Sequence, residues 1–250
     1  QVADAAAELG KAGFSVNNII EALPATLDLA AAASIGIAQA ADITAGVMAG
    51  FGIAAKDSAD AADILAVVAT GAKTDISGLG KAIKYVGPVA KSVGWTLSET
   101  SAILGVLANQ GIEGSMAGTS LKSTISSLVS PTKTAAAALQ SLGLSVEDVR
   151  PGLVKSDEIF RRLAAAGIDA ERAFQIFGER GAVGVLAVTS ALENLDKMTG
   201  VIQNHEGAAR RMAEIKLDNI AGDWEKLTGE LSETAMALGS AGLSGALRDL

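Results

Sequence analysis

His205 is the single histidine in a chain of 250 residues that holds no cysteine. One imidazole and no thiol exclude multi-histidine metal sites, zinc ribbons, iron–sulfur ligation and cysteine nucleophiles. His205 is followed by Glu206 and Gly207 and reads as a solvated turn residue. The run most like a phosphate loop is Gly111-Ile112-Glu113-Gly114-Ser115-Met116-Ala117-Gly118-Thr119-Ser120-Leu121-Lys122-Ser123. Its spacing is wrong, because Gly118 is followed by Thr119 where the nucleotide loop needs Lys and then Ser or Thr, and no strand precedes it. The better reading is a turn where two helices approach closely, with Ala117 and Gly118 leaving no room for a larger side chain. Gly178-Glu179-Arg180-Gly181-Ala182-Val183-Gly184 lies inside helical periodicity, so it makes a poor dinucleotide fingerprint. Asp57, Asp60 and Asp63 read as favourable charge at a helix start rather than as a metal cluster. No nucleophile elbow and no second histidine support a catalytic serine. Trp95 and Trp224 read as packing anchors, since no basic patch accompanies them. The expectation is no enzyme, no metal and no cofactor.

The elements that position these residues are helices. Alanine makes up about a fifth of the chain. Aromatic residues contribute 3% and there are 4 prolines, a composition that favours helix. Apolar residues recur at helical spacing, as in Ile64, Leu65, Val67 and Val68, or Leu121, Ile125, Leu128 and Val129. No stretch alternates β-branched residues as strands do. A recurring punctuation mark separates the helices: a glycine, an apolar residue, then Ser, Thr or Asp. It occurs at Gly13-Phe14-Ser15, Gly94-Trp95-Thr96, Gly143-Leu144-Ser145 and Gly167-Ile168-Asp169, with a looser copy at Gly52-Ile53. The glycine ends one helix in the left-handed conformation, the apolar residue turns inward, and the polar residue caps the next helix. Thr96 and Glu99 have the spacing of a capping box. The intervals are irregular, so no repeat of fixed period is expected. Pro88, after Gly87, is expected to kink or restart a helix.

Charge and composition narrow the class further. The net charge of −8 opposes a nucleic-acid clamp that works by counterion release. Every arginine lies at or beyond Arg150, which suggests an alanine-rich helical region over 1–150 and a more charged helical region over 151–250, with a soft boundary at Gly143–Ser156. Leu29 to Ala55 carries one charge, Asp42, but Gly36, Gly46 and Gly50 interrupt it. A buried hairpin fits better than a membrane span. The chain begins at Gln1 without a signal-peptide pattern, and the expectation is a piece of something longer.

Near the C-terminus, Ala213, Leu217, Ile220, Trp224, Leu227, Leu231, Thr234 and Leu238 advance by steps of four and three. That is a coiled-coil seam, and the same pattern also describes a helix packed on its own body. With Leu217, Ile220, Trp224, Leu227, Leu231 and Leu238 as contact positions, self-association as a trimer is expected. The overall expectation is an all-α fold: an irregular multi-helix core with a long C-terminal amphipathic helix.

The stretch from Asp63 to Leu121 resembles the core region of bacteriophage tail tape measure proteins. The resemblance rests on Ala62-Asp63-Ile64-Leu65-Ala66, on Leu79-Gly80-Lys81-Ala82-Ile83-Lys84-Tyr85-Val86-Gly87-Pro88, on Gly94-Trp95-Thr96-Leu97-Ser98-Glu99-Thr100, and on the Gly111–Leu121 run. Its signature positions are Tyr85, Gly87, Pro88, Gly111, Gly114, Ala117, Gly118 and Thr119, which read as structural. The resemblance implies a helical, non-enzymatic virion protein. Such proteins thread the tail lumen during assembly in the host cytoplasm, set tail length, and leave ahead of the genome. It implies contacts with tail tube, tail tip and tail assembly chaperone proteins, no specific nucleic-acid binding, and a possible transient contact with the host membrane. Many weak alanine contacts would suit a protein that must unpack and move. Even as one unbroken helix, 250 residues reach only about 375 Å. The competing classes are a membrane-active helical protein and a helical adaptor or scaffold unrelated to phages.

Overall fold

The structure, a computed structural model, describes residues 2–219. The helices are α1 (Val2–Lys11), α2 (Val16–Ala33), α3 (Ile37–Phe51), α4 (Ser58–Gly71), α5 (Ile76–Ser92), α6 (Leu97–Asn109), α7 (Gly114–Val129), α8 (Lys133–Ser141), α9 (Ser156–Ala165), α10 (Ala170–Thr189) and α11 (Leu192–Ile202). A further helix, α12, runs over 208–219. Among the described residues there is no strand, so the fold is all-α.

The punctuation marks end helices as their chemistry requires. Gly13, Gly52, Gly94, Gly143 and Gly167 all have positive φ. In each case the following apolar residue donates its N–H to a carbonyl five residues back, as in Trp95 to Ala90 (3.0 Å) and Ile168 to Leu163 (3.2 Å). This is the Schellman closure, which satisfies carbonyls the helix would otherwise leave open. Ser15, Thr96 and Asp169 then cap the next helix through their side chains, and Thr96 with Glu99 forms a complete capping box.

Three local readings need correction. The mark at Gly143 leads only into a 3-10 turn, Glu147–Val149, and α9 waits until Ser156. Pro151 explains this: it offers no N–H, and it pushes Arg150 into the extended conformation, ψ 119. Pro88 does not restart a helix, for α5 continues through it to Ser92. Gly87 has no Cβ to clash with the proline ring, and Pro88 lies on the exposed side of the helix. Conversely, the Gly178 run is not continuous helix. Gly178 has φ 64 and ψ −179, a region open essentially to glycine alone, and α10 bends there.

The helices stack in two layers. In one, α1, α3, α5, α7 and α10 are successive neighbours; in the other, α2, α4, α6 and α11. Alternation in the chain thus becomes alternation between layers, without a fixed repeat length. The main core runs from Ala25 to Ala213, includes residues on both sides of the 143–156 stretch, and has Phe160 and Phe177 as its largest enclosed side chains. A smaller cluster of Leu9, Ala22, Ala41, Ala45, Met48 and Ala55 closes the α1–α3 end. Trp95 is buried, as a packing anchor should be.

Candidate functional site

The layer of α3, α5, α7 and α10 is drawn together by small residues. A Cβ built on Gly118 of α7 would lie 2.2 Å from the carbonyl oxygen of Ala82 on α5. One built on Gly87 of α5 would lie 3.4 Å from Cα of Gly50 on α3. A Cβ on Gly184 of α10 would lie within 2.3 Å of Ser120 Oγ on α7. Backbone therefore meets backbone at the α3–α5 and α5–α7 interfaces, and a serine side chain meets glycine backbone at the α7–α10 interface, which only small side chains permit. The α7–α10 contact is also polar. Ser120 Oγ donates to the carbonyl of Arg180 (2.7 Å), and Thr124 Oγ1 donates to that of Gly181 (3.4 Å), both just past the bend at Gly178.

The signature positions are divided by this arrangement. Gly87 and Gly118 are buried at two different interfaces, and Ala117 is buried beside Gly118. Gly111 ends α6 with φ 81, and Gly114 opens α7 with φ 57. The close approach expected within the Gly111–Leu121 turn in fact falls inside α7, after its first turn. Pro88 is exposed, while Tyr85 and Thr119 line a groove. The groove, about 860 Å³, runs between α5, α7 and α10. Its rim is apolar at Tyr85 (50% exposed), Met116 (62%) and Val183 (49%), and carries the cations Lys122 and Arg180. Its remaining lining is mostly hydroxyls, from Ser115, Thr119, Ser120, Ser123 and Ser126. This lining has no carboxylate and no imidazole, so it offers a binding surface rather than an acid–base pair. Among the described residues no group of three or more Asp, Glu or His is placed to hold a metal ion.

His205 is not a solvated turn residue. Its Nε2 lies 2.5 Å from Asp60 Oδ1, its Nδ1 lies 2.6 Å from the carbonyl of Ile202, and its side chain is 17% exposed. Asp63, in the second turn of α4, is buried and accepts the backbone N–H of Gly207 (2.6 Å) and of Ala209 (2.8 Å). Those are donors that the start of α12 cannot satisfy internally. The acidic run on α4 therefore does more than favour its own N-terminus. It caps another helix about 145 residues away, a pairing with no signature in local sequence. Burial raises the Asp28 carboxyl nearby, with Asp63 and Glu214 adding to the rise against the opposing charge of Arg210.

Along the proposed seam, Ala213 is 3% exposed and packs into the core, while Leu217 is 56% exposed. Ile220, Trp224, Leu227, Leu231 and Leu238 lie outside the described residues. Among the described residues no single helix is long and apolar enough to cross a membrane. The pair α2 and α3 passes that test together, bent by 119°.

The family model for phage-related minor tail proteins matches residues 1–237. The chain is similar to a tape measure protein of Pneumococcus phage Dp-1, 37% identical over 235 residues, which cover 91% of this chain and 20% of that protein. It is also similar to a probable tape measure protein of Escherichia phage P2, 30% identical over 227 residues, covering 87% of this chain and 28% of that protein. The chain thus spans about a fifth to a quarter of the length of these relatives. No solved structure matches.

Proposed function

The chain belongs to the phage-related minor tail protein family, and on that premise we propose that it is a folded segment of a tape measure protein. It serves in the tail during assembly, tail-length control and genome delivery. The observation that carries this reading is the 37% identity to the Dp-1 tape measure protein, sustained across nearly the whole chain. In this reading the protein resides in the virion tail and, during assembly, in the host cytoplasm. Its partners are tube, tip and assembly-chaperone proteins. It has a structural rather than catalytic role, without specific nucleic-acid binding.

The two-layer stack bears on how such a segment contributes to length. A compact body of this size has a diameter on the order of 45 Å, whereas 218 residues in one helix would extend about 330 Å. In-frame deletion of residues 2–219 from the parent gene, followed by electron microscopy of the particles, tests the reading. Tails that fail to form, or that form in reduced number or shorten by about 50 Å, are the expected outcomes. Shortening near 330 Å would show the segment extended in the tail. Normal tails in normal number would refute a tail role.

Self-association belongs to the same proposal. The stripe that packs on the core at Ala213 reaches Leu217 half exposed. In sequence the stripe continues through Trp224 to Leu238. A second and third copy would cover it as a trimer, a closed cyclic arrangement around a tail axis. Sedimentation with and without Leu217→Asp reports on it, and a monomer in both forms at high concentration refutes the trimer. Transient contact with the host membrane would fall to α2 and α3. It would require unpacking Leu29, Val47 and their neighbours from the core, and is tested by leakage from liposomes.

A further inference from the structure

We propose that the 205–209 turn is a protonation-dependent latch, in which the His205 imidazolium, clamped by Asp60, holds the start of α12 against α4, and loss of one proton loosens α12 from the body. The inference concerns this chain alone and stands whether or not the tail reading holds.

The geometry carries it. Both ring nitrogens face groups that only accept: Nδ1 faces the Ile202 carbonyl at 2.6 Å, and Nε2 faces the Asp60 carboxylate at 2.5 Å. A neutral imidazole has one N–H and can satisfy one of them. The imidazolium has two and satisfies both. Asp60 and Asp63 face this turn from α4, Glu99 from α6, Lys155 and Asp157 from the start of α9, and Glu206 stands beside His205 in sequence. Arg211 of α12 also reaches the turn, its guanidinium donating to the Glu206 carbonyl (2.6 Å). The five carboxylates outnumber Lys155 and Arg211, so the surroundings favour positive charge on the ring. Burial pulls the ring toward neutrality. The bonds to Asp60 and Ile202 and the charges of Asp60 and Asp63 outweigh it, and the titration point rises above the ordinary histidine value.

The sign follows. A folded value raised above the unfolded one means that the latch is complete below about pH 6.5, and its contribution is lost as pH rises through the higher folded value. The tautomer that keeps Nδ1–H on Ile202 then turns a lone pair toward the Asp60 oxygen. Asp60, more than half exposed, can swing into water. Asp63 keeps its bonds to Gly207 and Ala209, so α12 loosens rather than detaches.

The test uses the 250-residue chain, whose single histidine gives one imidazole signal. Amide exchange over 207–219, corrected for intrinsic rates, is followed from pH 6 to 8.5 together with the ring nitrogen shifts of His205. In the wild type, protection should fall about three- to fivefold across the ring's titration, the range expected for one partly exposed ion pair. His205→Gln should flatten that profile. Asp60→Asn, which keeps the ring and its bond to Ile202, should lower the titration point and shift the profile with it. Asp63→Asn should reduce protection at every pH and keep a pH dependence, its midpoint lowered by the loss of the Asp63 charge. An unchanged profile in His205→Gln overturns the latch. So does a ring that titrates at or below the ordinary value in the wild type and does not move in Asp60→Asn. Should His205→Gln fail to fold, the Asp60→Asn comparison decides alone.

Discussion

Gly118→Ala is the sharpest test of how the α5–α7 interface is built. In an exposed helix, replacing glycine by alanine stabilises by about 0.5–1 kcal/mol, because alanine loses less backbone entropy on folding. At position 118 the added methyl would sit 2.2 Å from the Ala82 carbonyl oxygen and 2.9 Å from its Cα, roughly 1 Å inside ordinary contact. The obstacle is backbone, so no rotamer change relieves it. α5 and α7 must separate as rods, and that opens gaps around Ala117, Leu121, Ile83 and Val86, all of them buried. Overpacking of this kind costs about 1–3 kcal/mol, and rigid backbone places it at the upper end. After the helix-propensity gain the net loss is about 2 kcal/mol, or about 4–8 °C in Tm for a chain of this size. Gly200→Ala supplies the opposite sign in the same protein, since a Cβ there meets nothing within 4 Å in α11, and it should stabilise by about 0.5 kcal/mol. Urea unfolding followed at 222 nm measures both. A Gly118→Ala protein as stable as the parent, beside a stabilised Gly200→Ala protein, would falsify the claim of backbone contact between α5 and α7.

Three further outcomes follow from the caps and charges. Thr96→Ala removes the capping box of α6 and should lower stability by about 1 kcal/mol, read as a shift in the urea midpoint; no shift would show the cap to be redundant. Asp63→Ala leaves the N–H groups of Gly207 and Ala209 without their acceptor and should raise amide exchange over 207–219 well before global unfolding; unchanged exchange there would refute the cross-chain cap. The Ser145 hydroxyl and N–H hold the Asp148 carboxyl below its usual range. Because the folded value is depressed, its contribution is present above the ordinary carboxylate range and is lost as pH falls through the folded value. Asp148→Asn should therefore flatten part of the acid limb of the midpoint-versus-pH curve, and an identical limb would discount the pairing.

Helix ends were legible wherever glycine supplied them. Each marked glycine takes the positive φ that its missing Cβ permits, and the next residue closes the helix in a local pattern that sequence spells out. The end of α2 was hidden because Ser34 takes that conformation instead, φ 53, with Ile35 donating to Ala30 in the same closure. A serine carries no comparable signal, so within Leu29 to Ala55, read as a buried hairpin, the position of the break was not marked. Gly178 failed in the opposite direction. A glycine inside a helical period reads as a tolerated residue, and only the tertiary bonds from Ser120 and Thr124 show why the helix breaks there. The glycines of α5 and α7 announced close approach but not the partner. Whether Gly118 meets Ala82, or Gly87 meets Gly50, depends on which helices become layer neighbours, and helical periodicity does not encode that. His205 with Asp60 lies furthest from legibility, since neither residue has a local neighbour that betrays the pair.

These contacts also divide the body into parts that yield differently. Across α3, α5 and α7, backbone sits on backbone at Gly50–Gly87 and Gly118–Ala82, and on α10 Gly184 lies against the Ser120 side chain of α7. Sliding one of these helices drives a methyl-sized gap or overlap into every neighbour, so the layer opens together or not at all. The weak alanine contacts that the composition suggests would ease unpacking are here drawn close enough to resist it. α12 is attached on other terms. Ala209 and Ala213 bury little area each, and the rest of its start is held by Asp63 and by the ring of His205. Small apolar area and solvent-reachable polar bonds mark the low end of local stability. A protein that must rearrange within a tail would on this basis give way first at the 205–209 turn, with the glycine-packed layer passing through the change as a unit.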